Sequence, residues 1–587
     1  MNVQDTDPVS TRPVPAWIGD GSRLLLVVLL AYFIWWVIQY AGFLFDPMLQ
    51  ADDARTSLFP LHRYGPERAL AEDPIASGML AFMPPAVIGL YRILIPLAGL
   101  LVAAKIVQGF CLLILVYAFV RIVRSPRAGL GAGAVLLFLF LHTPLLFQRG
   151  ISGGLPRGFA FPLMALWFAG AITDRTTDRR VAAVLSALTY PTSMIMILAA
   201  EGLYSLRKGI DLRTPELRNR LMRYGVLVLV CAALLIPFFA SKSEAGRIHT
   251  LEEALEEPAF YRDGRLLVLP FQNPAKAFVL FYARPLLPAR GSVLEGLASL
   301  SPESPLELFV PLLFTLAGLT ILFRRRCPFP VATTAFVTGA VILYLLSRLL
   351  AFRLYSPERF YSFTMPMAAI FLMVQTVGLY GGPQPDSGAK RRRNIGVVAL
   401  MVLVLAINGD GIVPGKDGMT LDGREHADLY RFAANLPVDV LFASHPLDGD
   451  DIPLWSARAT LGGFETLQPW FVDSWREQKE RTYSTLAALY SDDRSEILEF
   501  CRRYGVTHLL LHRDRYGEDF IGMAGLFEPF DSWLEPRLAS MSRDDLMLST
   551  PPTDAIVFES GDYTVLDTTL LTEAWDTMDQ HETEPGL

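Results

Sequence analysis

The sequence predicts a mainly α-helical, polytopic membrane domain followed by a soluble α/β domain. Three observations carry that reading. Of 587 residues, 52% are hydrophobic and 19% charged, with a mean hydropathy of +0.34, whereas soluble domains carry about 25% charged residues. Apolar runs of bilayer length recur from Arg23 to Asn408 and then stop. Charge divides at the same place: residues 413–587 hold 14 Lys+Arg against 33 Asp+Glu, leaving 38 against 26 before them, so the first part is net +12 and the last net −19. That composition excludes a nucleic-acid binder. The cysteines, Cys111, Cys231, Cys327 and Cys501, are scattered and suggest neither a disulfide framework nor a metal site.

A span needs about 20 mostly apolar residues, and Arg23–Phe45 is the first. It is too long for a signal peptide and no small-residue cleavage site follows. Further spans are expected at 98–120, 128–147, 159–173, 224–240, 306–323, 329–350, 360–380 and 395–409, making nine. The stretch 181–206 has basic flanks on both sides. It reads as a re-entrant helical pair broken at Tyr190-Pro191-Thr192-Ser193, its freed backbone groups bonded inside the protein. Short basic loops at 121–127, 174–180, 207–223, 324–326 and 390–393 supply 19 cations, all on one face if residues 1–22 form a cytoplasmic tail. The expected domains are then a membrane domain over 23–409, with outer loops 46–97 and 241–305, and an extracytoplasmic domain over 410–587. In the latter, strand-like runs at 439, 507, 555 and 563 alternate with helix-like ones. It holds no phosphate loop or nucleophile elbow, so no chemistry is assigned to it.

The sharpest local signal is Gln50-Ala51-Asp52-Asp53-Ala54-Arg55, just past the first span. Asp52 and Asp53 could act as a general base or share a divalent cation beside a lipid-borne substrate. The plainer reading, favoured by spacing alone, is an Asp cap on the helix that follows. A second cluster runs from Gln148 and Arg149 through Gly153-Gly154 to Arg157-Gly158. Its glycines offer close backbone approach and free N–H groups, and its arginines a fork for phosphate oxygens. A tight turn with snorkelling arginines fits equally well. A third joins Arg348, Arg353, Tyr355, Glu358 and Arg359, outer-face cations that call for anionic partners. Glu244 is a further candidate, just past a span end, while the charged turn Tyr261–Arg265 reads as solvated surface.

With the acidic pair, GGLPRGFAFPL, LTYPTS, the SEAG and DGR elements and SPERF in place, the chain resembles polytopic membrane glycosyltransferases of the GT-C fold, and more narrowly an uncharacterised bacterial branch of them. The resemblance covers most of residues 23–380; no Trp-Trp-Asp signature of oligosaccharyltransferases is present. It implies a polyprenyl-phosphate-linked sugar donor and transfer on the outer face of the bacterial cytoplasmic membrane. In that setting Asp52 is the base, with Asp53 and Arg55 its orienting neighbours, and Arg157, Arg353 and Arg359 meet the leaving phosphate. The alternatives are a lipid-linked transporter or flippase, against which stand the few ionisable residues within spans, and a non-catalytic envelope assembly factor.

Overall fold

The computed structural model describes residues 21–125, 128–143, 146–206, 214–242, 246–275, 277–278, 331–354, 356–379, 387–408 and 420–583. Eight of the nine expected spans fall on helices: α1 (Ser22–Phe45), α3 (Leu100–Val123), α4 (Gly129–His142), α5 (Ala160–Ile172), α8 (Pro215–Lys242), α9 (Val331–Leu349), α10 (Pro357–Leu379) and α11 (Ser387–Asn408). The ninth, 306–323, lies outside the described residues. Five described helices are long and apolar enough to cross a bilayer. In α1, Leu25, Leu29, Tyr32, Trp36, Tyr40 and Phe43 turn inward at helical spacing, while Leu26, Val27, Leu30 and Ile38 are exposed, as a lipid-facing helix requires.

Helices α4 and α5 are corrections to the expected full spans. They have 14 and 13 residues, about 20 Å at 1.5 Å per residue, against a hydrocarbon core of about 30 Å. The described part of the apolar run between them winds as a π turn (Phe147–Ile151) and two 3-10 turns (Ser152–Gly154 and Pro156–Phe159), not as α-helix. Another unforeseen element is α2 (Pro85–Ala98), which leads into α3 and exposes Ile93 and Leu97.

The re-entrant pair is present as α6 (Thr176–Thr189) and α7 (Pro191–Ser205), broken at Tyr190 with Pro191 opening the second helix. Both ends of the pair lie at one end of the bundle. There Arg121 pairs with Asp178 at 3.3 Å and Arg220 donates to the Ser205 carbonyl at 2.7 Å. The same end gathers the start of α1 with that of α11, Asn394 donating to Ser22 at 3.1 Å. Gly131, at the start of α4, lies against Arg393, Asn394 and Val377. The described cations of the basic loops therefore share one end of the bundle.

The opposite end carries the C-terminal domain. Strand β1 (Leu49–Ala51), just past α1, pairs antiparallel with β2 (Thr420–Asp422), beyond α11. Phe352, past α9, stacks on Phe260 and meets Trp470. The domain is α/β, as expected. Its strands are β3 (Leu441–Ser444), β4 (Ala459–Thr460), β5 (His508–His512), β6 (Ile556–Ser560) and β7 (Tyr563–Asp567), in sheet order β4-β3-β5-β7-β6. β3 is parallel to β4 and β5, and β7 is antiparallel to β5 and β6. In β5, Leu509 and Leu511 face one apolar cluster with Trp475 and Ile497, and Leu510 faces another with Leu429 and Phe442. A strand covered on both faces reads as a continuous apolar run.

Candidate active site

The acidic pair reaches its place on a short, pinned strand. Lys105 of α3 donates to the Phe43 carbonyl at 2.8 Å and to that of Leu49, satisfying an orphan carbonyl at the end of α1. Gln50 is buried, its amide donating to the Pro47 carbonyl at 2.8 Å. Beyond it, Asp53 occupies the N-cap position of the turn Ala54–Ser57, yet its side chain makes no capping hydrogen bond. The two carboxylates part company instead. Asp52 pairs with Arg55 of its own turn at 2.6 Å, and Asp53 forms an ion pair with Arg157 across the site. Arg55 is thus the partner of Asp52.

Arg157 stands on the segment 147–159, a succession of one π turn and two 3-10 turns between α4 and α5. Backbone that departs from the α-helix within an apolar bundle is tolerated only where it is buried in protein or lines a cavity. Ile151, Ser152, Gly153, Gly154 and Leu155 are buried accordingly. Two glycines make this possible. Gly153 has φ +80° and a Cβ there would stand 2.6 Å from Ala51; Gly154 has φ +69° and a Cβ would stand 2.4 Å from the Ala104 carbonyl. Their polar groups are spent internally. The Gly153 N–H donates to Gln108 at 2.9 Å, and the Gly154 carbonyl accepts from Tyr91 at 2.8 Å. The glycines seat the segment against β1 and α3, and the Gly153 N–H is not free for phosphate. Arg149 belongs to this segment, with its side chain outside the described residues, where Glu244 also lies.

The inner wall is aromatic. Phe161 of α5 and Phe363 of α10 have ring centroids 5.1 Å apart, and Tyr190, the apex of the re-entrant pair, is 5.5 Å from Phe363. Arg157 precedes Phe161 by four residues and Arg359 precedes Phe363 by four. Both helices run toward the cation-rich end, and both arginines lie on the N-terminal side of the phenylalanines. Arg353 is exposed on the turn Ala351–Leu354, and no described contact joins it to Asp52, Asp53 or Arg157.

The C-terminal domain contributes residues that the sequence reading left without chemistry. Arg55 also meets Asp450 at 3.3 Å and Asp451 at 3.5 Å. Glu465 interacts electrostatically with Asp52, Asp53 and Arg55 and pairs with Arg265 at 2.9 Å. Arg265, expected on a solvated turn, is mostly buried, its guanidinium over the Phe464 ring; this corrects the expectation for that turn. Burial drives the Asp450 carboxyl up to about 8 against the pull of Arg55, and burial likewise raises Asp451 and Glu465. The signal was present in Ser444-His-Pro-Leu-Asp-Gly-Asp-Asp451: it follows the C-terminal end of a parallel strand, where α/β sheets place ligand-binding loops. Among the described residues, no three His, Cys, Asp or Glu side chains are grouped to hold a metal ion. Asp52 and Asp53 each face an arginine.

The fold and site define a multi-pass membrane protein with paired carboxylates and arginines where the helical bundle meets the C-terminal α/β domain. No protein-family model and no curated protein matches the sequence. Solved structures similar to the chain include the Archaeoglobus fulgidus oligosaccharyltransferase AglB with an inhibitory peptide and a dolichol-phosphate (12% identity, 87% of this chain and 72% of that one, TM-score 0.48). Another is ArnT from Cupriavidus metallidurans in the apo state (13%, 93% and 98%, 0.47). A further oligosaccharyltransferase structure from Archaeoglobus fulgidus, with zinc and sulfate, matches at 12% identity over 77% of this chain (TM-score 0.44), and this chain spans 62% of that one.

Proposed function

We propose that this chain transfers a sugar from a polyprenyl-phosphate donor to an envelope glycan, lipid or protein acceptor. Transfer takes place at the bundle end bearing the C-terminal domain, which we assign to the outer face of a bacterial cytoplasmic membrane. The observation that carries the reading is the ion pair between Asp53 and Arg157. A carboxylate free of capping duty beside a guanidinium supports a site for a lipid-borne phosphate.

The chemistry follows from the residues present. Arg157 and Arg359 take the phosphate oxygens of the donor. As Arg157 turns to the phosphate, Asp53 is released and accepts the proton of the acceptor hydroxyl. The hydroxyl oxygen bonds to the anomeric carbon, and the bond from that carbon to the phosphate oxygen breaks. The phosphate leaves as an anion held by the arginines. Asp52, held by Arg55, positions the turn that carries Asp53. A slot of about 490 Å³ between α1 and α3, lined by Phe33, Trp36, Ile106 and Leu112 with Lys105 among them, suits the isoprenoid chain. Mass spectrometry of the purified protein tests this: a co-purifying polyprenyl phosphate is expected. Absence of that lipid together with no transfer to any envelope fraction overturns the reading.

A further inference from the structure

A second cavity, of about 730 Å³, opens at the cation-rich end of the bundle, far from the acidic pair. Phe110, Leu113, Ile114 and Tyr117 of α3 form one wall, with Leu166 of α5 and Val181 of α6 opposite. Arg121, Arg175, Thr177 and Asp178 stand at its mouth. Leu113 is 63% exposed, and Phe110, Tyr117 and Val181 about 40% each, so the groove opens sideways on the lipid-facing surface. From Phe110 to Arg121 is 11 residues, about 16 Å of helix, which matches one leaflet of a hydrocarbon core about 30 Å thick.

Charge at the mouth is cationic in effect. Asp178 is buried and engaged by Arg121 at 3.3 Å, and Arg121 itself lies over the Tyr117 ring. Arg175 is exposed and makes no ion pair among the described residues. It occupies the N-cap position of α6 without a side-chain cap, leaving the first backbone N–H groups of that helix beside Thr177.

We propose that this groove binds an anionic diacyl phospholipid of the leaflet at the cation-rich end. One acyl chain lies along Phe110–Ile114 and the phosphodiester sits at Arg175 and Thr177. Basic pockets between transmembrane helices on that side of a membrane hold acidic headgroups in this way. The bound lipid braces α6, the helix that carries Tyr190 to the aromatic wall of the candidate site. The inference does not rest on the glycosyltransferase reading.

The test uses the full-length protein in detergent, titrated with phosphatidylglycerol, phosphatidylcholine or sn-glycerol 3-phosphate and followed by native mass spectrometry and by melting temperature. Phosphatidylglycerol is expected to bind at least fivefold more tightly than phosphatidylcholine and to raise the melting temperature more. Arg175→Gln, a change at an exposed residue, should erase that preference. Leu113→Trp, which fills the groove from its lipid side, should weaken both lipids. Arg124→Gln, outside the cavity, should change neither. Equal binding of the two lipids, an unchanged preference in Arg175→Gln, or an equal loss in Arg124→Gln would overturn the proposal, the last by showing a diffuse basic surface. So would glycerol phosphate binding as tightly as the lipid, which would show a site for a free anion.

Discussion

Arg55 is the guanidinium on which the membrane loop and the C-terminal domain meet, and replacing it with Gln measures how firmly they are joined. It lies 2.6 Å from Asp52, 3.3 Å from Asp450 and 3.5 Å from Asp451. Stripping one partner from a buried ion pair costs about 3–5 kcal/mol, because the charge left behind has already lost its water. Of the three partners only Asp450, 2% exposed, is fully buried; Asp52 and Asp451 keep 33% and 27%, exposures at which a pair is worth about 1 kcal/mol or less, so the cost falls on Asp450 and the lower end applies. The expected deficit is about 3 kcal/mol at pH 8.5, where Asp450, with its carboxyl at about 8, is also mostly ionised. Burial makes the folded carboxyls of Asp450 and Asp451 bind protons more tightly than the unfolded chain does, and losing Arg55 strengthens that preference. On acidification the folded variant takes up protons before the unfolded chain, and each group recovers up to about 1.4 kcal/mol per pH unit. Wild type recovers as well, but less, because Arg55 holds its carboxyls lower than in the variant, so the deficit should be smaller at pH 5.5 than at pH 8.5. Unfolding of wild type and Arg55→Gln in lipid nanodiscs at both pH values reads the difference, and hydrogen exchange over residues 448–465 reports docking of the domain. Adding Asp450→Asn and Asp451→Asn to Arg55→Gln should restore most of the stability at pH 8.5. A deficit that does not change with pH, or none at pH 8.5, refutes this account.

For the candidate base, Asp53→Asn should lower transfer by about 100- to 10,000-fold with little change in melting temperature, and Asp52→Asn is measured beside it. Full activity of both variants in cells lacking the wild-type gene would remove the first outer loop from the chemistry and favour an assembly factor. For the leaving group, Arg157→Lys and Arg359→Lys should weaken donor binding, since lysine keeps the charge and loses the planar fork; unchanged donor affinity would leave headgroup snorkelling as their role. Gly153→Ala meets both a left-handed backbone and the Ala51 side chain and should cost about 3 kcal/mol. Gly109→Ala, with nothing within 4 Å, should cost nothing, as melting temperatures will show. Reporter fusions after residues 126, 210, 325 and 392 should read cytoplasmic and those after 75, 275 and 450 exterior; a cytoplasmic signal at 450 would reverse the sidedness proposed above.

The long lipid-facing helices were legible because lipid selects for apolarity around the whole circumference, and the break at Tyr190-Pro191 because proline removes a helical hydrogen bond. The shortness of α4 and α5 was not legible. Phe147, Ile151, Leu155 and Phe159, on or beside the π and 3-10 turns between them, are as apolar as a span, and hydropathy does not distinguish such turns from a buried α-helix. In the site, Asp52, Asp53 and Arg157 stood out through local pattern. Asp450, Asp451 and Glu465 did not, because what makes them part of the site is proximity to Arg55 across some 400 residues of chain, and no local spacing encodes such a contact. Arg265 was misread for the same reason: the Glu465 and Phe464 that bury it belong to the other domain.

The ion pairs of this protein divide by the ease with which they open, and that division separates structure from chemistry. Arg179 and Glu201 meet at 2.9 Å with 5% and 8% of their side chains exposed, and Glu201 also accepts from Trp167. Parting such a pair leaves buried charge at a cost of about 3–5 kcal/mol, so it holds α6 to α7 and takes no part in turnover. Arg157 and Asp53 retain 21% and 32%. A pair that wet is worth about 1 kcal/mol or less. A phosphate offering two oxygens to the Arg157 fork, at roughly 1.5–3 kcal/mol for each charge-assisted hydrogen bond, therefore outbids the aspartate. Under the proposed function, donor binding and release of the base then become one event, with Asp53 covered by its arginine until a donor phosphate arrives.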